Sequence, residues 1–103
     1  MSAIDFDRIY VPPFHNERDK IKELVRIALE NGFKCLPDIS IEEQVQKLTE
    51  KKNYLVLEKF KTELTISNKE ASSIMPRLGN DDVKIYSLEK AREWIMAKAE
   101  EIK

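Results

Sequence analysis

Few residues of this chain have side chains suited to binding or catalysis, and most of them stand at the ends of apolar segments. His15 is the only histidine, and a neutral imidazole can act as an acid, a base or a ligand contact. Tyr10 and Asp38 lie close to the ends of two short apolar segments. Ser67 and Glu70 have the S-x-x-E spacing of a helix capping box. In a parallel sheet all five would meet at the carboxyl edge, which predicts a ligand site there.

The first 40 residues carry a resemblance to a known family. Residues 9–14 (IYVPPF), a charged helix at 17–31 and residues 32–37 (GFKCLP) resemble the opening of nucleoside 2-deoxyribosyltransferase-like domains. The resemblance implies a Rossmann-like sheet that binds a nucleotide or nucleoside at its strand ends. In that family a Ser-Gly-Thr segment leads into a helix with a nucleophilic glutamate, and the nearest match is residues 67–70 (SNKE). A capping role also explains Glu70, so no residue is assigned as catalytic.

A second arrangement of charged residues is similar to the carboxylate set of metal-dependent nucleases. Asp38 and Glu58 could hold a magnesium ion, with Lys59 or Lys61 beside them to steady the developing charge. The spacing departs from that pattern at the decisive point, because Phe60 stands where the lysine is needed. The sequence therefore predicts no metal site.

A third interpretation is a winged helix over residues 41–87 that binds nucleic acid. Residues 67–78 would then form the recognition helix, with nearby cations approaching phosphates. Pro76 interrupts that helix, and glutamates alternate with the lysines, which favours a solvated surface of mixed charge. The cations in question are Lys51, Lys52, Lys59, Lys61, Lys69, Arg77 and Lys84.

Composition limits the function classes further. The chain has 103 residues, 42% hydrophobic and 36% charged, with a net charge of −1, which does not favour a phosphate-binding surface. One cysteine and one histidine cannot form a disulfide within the chain or a zinc cluster. Gly32 and Gly79 are the only glycines, which excludes glycine-rich phosphate loops. We expect no cofactor, no membrane span and a cytoplasmic location.

Apolar periodicity and two S-x-x-E capping boxes, Ser40 with Glu43 and Ser67 with Glu70, predict the elements that position these residues. Strands are expected at about 7–12, 33–36, 54–66 and 83–86, and helices at about 17–31, 41–51, 68–75 and 88–102. The order βαβαβαβα predicts one α/β domain over residues 1–103, with a four-stranded, mostly parallel sheet flanked by helices. The alternative for residues 54–60 is a continuation of the second helix.

The last predicted helix carries a tryptophan that has two interpretations. Trp94 fits the core stripe of the helix, but with Met96 it could instead form an edge that binds a partner. We expect a small regulatory or inhibitory protein that acts by protein–protein binding rather than catalysis, and a homodimer is one form it could take. A nucleotide-handling domain is the first alternative, and a winged-helix nucleic-acid binder is the second.

Overall fold

Strands and helices follow one another in the order βαβαββαβα along the described part of the chain. The structure, a computed structural model, describes residues 7–11, 18–50, 53–74, 83–85 and 87–102. The elements within these ranges are β1 Arg8–Val11, α1 Arg18–Glu30, β2 Lys34–Cys35, α2 Ile41–Glu50, β3 Asn53–Phe60, β4 Glu63–Glu70, α3 Ala71–Ile74, β5 Val83–Ile85 and α4 Leu88–Ile102.

The five strands form one mixed sheet in the order β2-β4-β3-β1-β5. β3 is antiparallel to both of its neighbours, β1 and β4, whereas β2 is parallel to β4 and β5 is parallel to β1. The antiparallel ladders contain four and eight residue pairs, and the parallel ladders contain three and two. The predicted four-stranded, mostly parallel sheet in βαβαβαβα order is therefore wrong. β3 is nevertheless the only strand of these five that is reversed.

The extra strand arises from a hairpin inside the segment that was predicted as one strand over residues 54–66. Phe60 pairs with Glu63 across a two-residue turn, and Lys61 adopts a φ of 55°. Glycine or asparagine usually occupies this left-handed region in hairpin turns, so the sequence gives no turn signal here. The alternative of a helix continuing to Phe60 is also wrong, because Asn53–Phe60 is a strand.

Helices α1, α2 and α4 pack on the same face of the sheet. Their apolar stripes share one core with alternate residues of the strands, which point to one face. On the opposite face Tyr10 and Val56 are buried beside Tyr54, with the two tyrosine ring centres 6.3 Å apart. Helices were expected on both faces of the sheet, but α1, α2 and α4 all lie on one face. The sheet residues of the shared core are Ile9, Val11, Leu55, Leu57, Leu64 and Ile66.

Of the two predicted capping boxes, one is present. Ser40 Oγ accepts a hydrogen bond from the Glu43 N–H at 3.1 Å at the start of α2. Ser67 and Glu70 instead lie within β4, where Ser67 pairs with Val56 of β3. The eight-residue ladder outweighs the local capping preference, so the predicted box is wrong. The winged-helix interpretation loses its recognition helix for the same reason.

Candidate functional site

A groove of about 530 Å³ lies between α1 and α4. β1 and β5 are parallel neighbours, so the helices that follow them begin at the same edge of the sheet and pack together. Grooves beyond the carboxyl ends of strands are common binding sites in α/β proteins. The residues that line this one are Lys20, Glu23, Leu24, Ile27, Ser87, Leu88, Glu89 and Arg92.

Local contacts position α1 and α4, the two helices that form the walls of the groove. α1 buries a stripe that includes Leu24 against the sheet, which leaves Ile27 half-buried at the side that faces α4. Ser87 caps α4, since its Oγ accepts a hydrogen bond from the Lys90 N–H at 3.3 Å. The cap places Leu88 in the first turn of α4, opposite the wall formed by α1.

The groove combines an apolar floor with a rim of both charges. Leu24 is buried, and Ile27 and Leu88 are half-buried, so the floor can accept apolar side chains. Lys20 and Arg92 contribute two positive charges to the lining, and Glu23 and Glu89 contribute two negative charges. Among the lining residues that the structure describes these charges balance, which favours neither a polyanion nor a polycation and suits a ligand that carries both signs.

The structure does not bring the sequence-predicted ligand residues together. Tyr10 pairs with Val56, whereas Glu70 pairs with Asn53, three positions earlier in β3. Side chains alternate along a strand, so Tyr10 and Glu70 point to opposite faces of the sheet. Tyr10 is 2% exposed, which leaves its side chain closed to a ligand.

The remaining predicted ligand residues do not gather in one site. Ser67 is half-buried on β4 and pairs with Val56, as Tyr10 does from the other side, so Tyr10 and Ser67 share a face at two strand spacings, roughly 10 Å. Asp38 is exposed beyond β2 at the far side of the sheet. β2 and β1 are separated by three strand spacings, or roughly 14 Å. His15 lies outside the described residues.

The predicted partner-binding residues of α4 divide between core and surface. Trp94 is 0% exposed and packs on Phe33, with the ring centres 6.0 Å apart. Met96 is 47% exposed on the same helix. Trp94 is therefore a core residue of this chain, and only Met96 is accessible to a partner.

Charged residues of the nuclease and winged-helix interpretations have other partners in the structure. Glu58 accepts hydrogen bonds from the Arg8 guanidinium on the face of the sheet opposite helices α1, α2 and α4. Burial opposes the charge of Arg8, but the hydrogen bond and charge of Glu58 outweigh it and raise the Arg8 pKa. Lys59 bonds Glu101 on the helical face, whereas Lys69 extends from the opposite face, so these lysines do not form one basic surface.

Sequence reasoning missed the groove residues because their position depends on strand order. Lys20, Glu23 and Ile27 recur at helical spacing beside the apolar stripe of α1, which shows only that they share one side of that helix. Nothing in the sequence places β5 next to β1. Without that neighbour, the side of α1 that faces α4 cannot be recognised.

The chain was compared with protein-family models, with curated proteins and with solved structures, and none of the three comparisons finds a match. Among the described residues, no three or more histidine, cysteine, aspartate or glutamate side chains come together to hold a metal ion. No helix in the described part of the chain is both long enough and apolar enough to cross a membrane.

Proposed function

We propose that this chain is a small regulatory domain that binds another protein through the groove between α1 and α4. The observation that supports the proposal is the pairing of an apolar floor with two cations and two anions around it. Protein segments present apolar side chains next to charges of both signs, and buried apolar contact with a charged rim is typical of protein interfaces.

The charge balance of the groove favours a protein segment over a nucleotide. A nucleotide phosphate would meet Glu23 and Glu89 as well as Lys20 and Arg92, so attraction and repulsion would offset each other. The described residues that the nucleotide alternative would use, such as Tyr10 and Glu70, lie on opposite faces. A cytoplasmic location is part of this proposal, and the single free thiol of Cys35 is compatible with a reducing compartment.

A matched pair of charge reversals tests the proposal. Arg92 lines the groove, whereas Lys90 is an exposed cation two residues away in α4 that does not line it. The tagged wild-type protein, Arg92→Glu and Lys90→Glu are each used to capture partners from extract of the native host, and the bound proteins are quantified. We expect one stoichiometric partner that Lys90→Glu retains and Arg92→Glu binds about tenfold more weakly.

Two results would overturn the proposal. One is equal capture by both variants, since the partner would then bind elsewhere on the surface. The other is the absence of a protein partner together with a nucleotide that co-purifies with the wild-type chain, which would favour the nucleotide alternative.

A further inference from the structure

Three amide side chains meet beneath α2, away from the groove. Asn53 at the start of β3 donates from Nδ2 to the Lys47 carbonyl at 2.8 Å. Asn68 on β4 donates from Nδ2 to Gln44 Oε1 at 2.9 Å. Gln44, Asn53 and Asn68 together are called the amide cluster below. Gln44 is 0% exposed and Asn53 is 5% exposed, so two of its members are shielded from bulk solvent.

The amide cluster contains one donor and one acceptor without a partner among the described residues. Gln44 Nε2 and Asn53 Oδ1 are both buried, and neither has a hydrogen bond to any residue that the structure describes. Buried polar atoms of folded proteins are nearly always hydrogen-bonded, to protein or to ordered water. One buried donor and one buried acceptor in the same cluster therefore call for a polar partner that can bond to both.

The backbone brings the side chains that carry these two atoms to the same side of the hairpin, beneath α2. Asn53 pairs with Glu70 and Leu55 pairs with Asn68, so Asn53 and Asn68 are diagonal neighbours on one face of the hairpin. Gln44 and Lys47 are one turn apart on α2, and each is bonded to one of these asparagines. The four groups thus lie where α2 faces the hairpin.

We propose that a single buried water molecule lies between these groups and links α2 to the β3–β4 hairpin. The water accepts a hydrogen bond from Gln44 Nε2 and donates one to Asn53 Oδ1. Exchange of the amide oxygen and nitrogen in both Gln44 and Asn68 would preserve their mutual hydrogen bond and leave an acceptor on Gln44. A water could then donate to both residues, so the site holds in either orientation.

Two measurements on the wild-type protein test the site. In a crystal structure at about 1.5 Å resolution, we expect one water within hydrogen-bonding distance of the Gln44 and Asn53 amides, roughly 2.7–3.2 Å. In solution, the side-chain amide protons of Gln44 should show a nuclear Overhauser effect to a long-lived water. Gln46, which is exposed on the same helix, serves as the control and should show none.

The proposal is overturned if the density holds no water and Gln44 bonds directly to Asn53. It is equally overturned if Gln44 and Gln46 give the same signal. Gln44→Met provides a further check, because it fills similar volume without polar atoms. The water peak should disappear in this variant, while Gln46→Met should leave it in place.

Discussion

The ammonium group of Lys98 lies 5.9 Å from the ring centre of Trp94, and both side chains are buried on the inner face of α4. Lys98 Nζ also lies 3.4 Å from Glu101 Oε2, while Lys59 of β3 bonds Glu101 Oε1 at 2.6 Å. Glu101 therefore neutralises a buried cation and connects the last turns of α4 to the sheet. A buried charge with one carboxylate beside it makes the stability of this region depend on that carboxylate.

Removal of the Glu101 carboxylate should destabilise the protein more than removal of the buried Lys98 cation. Glu101→Gln leaves Lys98 buried without its counter-charge, which lowers the free energy of unfolding. We expect a loss of about 1 kcal/mol, a modest value because solvent reaches the partly exposed Glu101. Lys98→Met keeps an unbranched stem beside Trp94 and removes the charge, so we expect stability equal to or above that of the wild type. Chemical denaturation at pH 7 measures both, and the reverse order would contradict the interpretation.

Stability should fall with acid in a way that depends on Glu101. The hydrogen bond from Lys59, aided by the charge of Lys98 and opposed by slight burial, lowers the pKa of Glu101. A lowered folded-state pKa means that the unfolded chain binds the proton more readily, so this contribution is present above the ordinary glutamate value of about 4.3. It is lost as the pH falls through the folded-state pKa.

The measurement compares wild type and Glu101→Gln by urea denaturation from pH 7 to pH 3. The stability difference between them should shrink as the pH falls below the ordinary glutamate range. A difference that stays constant over this range would show that the charge of Glu101 does not stabilise the folded state.

The hairpin turn should be improved by glycine. Lys61 adopts a φ of 55°, a conformation that costs a residue with a side chain about 1 kcal/mol relative to glycine. Lys61→Gly should therefore raise the free energy of unfolding by roughly 0.5–1 kcal/mol. The neighbouring Thr62→Gly is the control, and thermal denaturation should show a lower midpoint for it. Destabilisation by Lys61→Gly would contradict the turn geometry.

Two serines with the same sequence motif should respond differently to alanine. Ser40→Ala removes the hydrogen bond to the Glu43 N–H at the start of α2, and we expect a loss of about 1 kcal/mol. Ser67 lies within β4 and caps no helix, so Ser67→Ala should change the free energy of unfolding by less than about 0.5 kcal/mol. Chemical denaturation of both variants measures the two losses in the free energy of unfolding. Equal losses would indicate that residues 67–70 form a helix start.

Local sequence patterns were sufficient to predict those helices that bury a single apolar stripe. The periodicity of α1 and the Ser40 capping box predicted helices that the structure contains at Arg18–Glu30 and Ile41–Glu50. The same reasoning failed at residues 61 and 67, because a lysine occupies a glycine-like turn and a long ladder overrides a capping motif. Local preference is worth about 1 kcal/mol, and an extended strand pairing exceeds it.

The candidate site was out of reach of the sequence for a different reason. The residues proposed from strand ends, such as Tyr10 and Asp38, required an uninterrupted parallel sheet, and β3 and β4 separate them. The groove needs only that β5 lies next to β1, a long-range pairing of three residue pairs with no local signature. Arg92 and Lys20 line the same groove because the helices that follow β1 and β5 pack together.

Hydrogen exchange of the complex locates the binding surface most directly. Amide exchange is followed by mass spectrometry for the protein alone and for the protein bound to the partner that it captures. We expect slower exchange on binding at residues 20–27 of α1 and 87–92 of α4, with no change in β4, because the partner covers the groove between these helices. Slower exchange confined to the hairpin or to β4, with both helices unchanged, would contradict the proposal that the α1–α4 groove is the binding site.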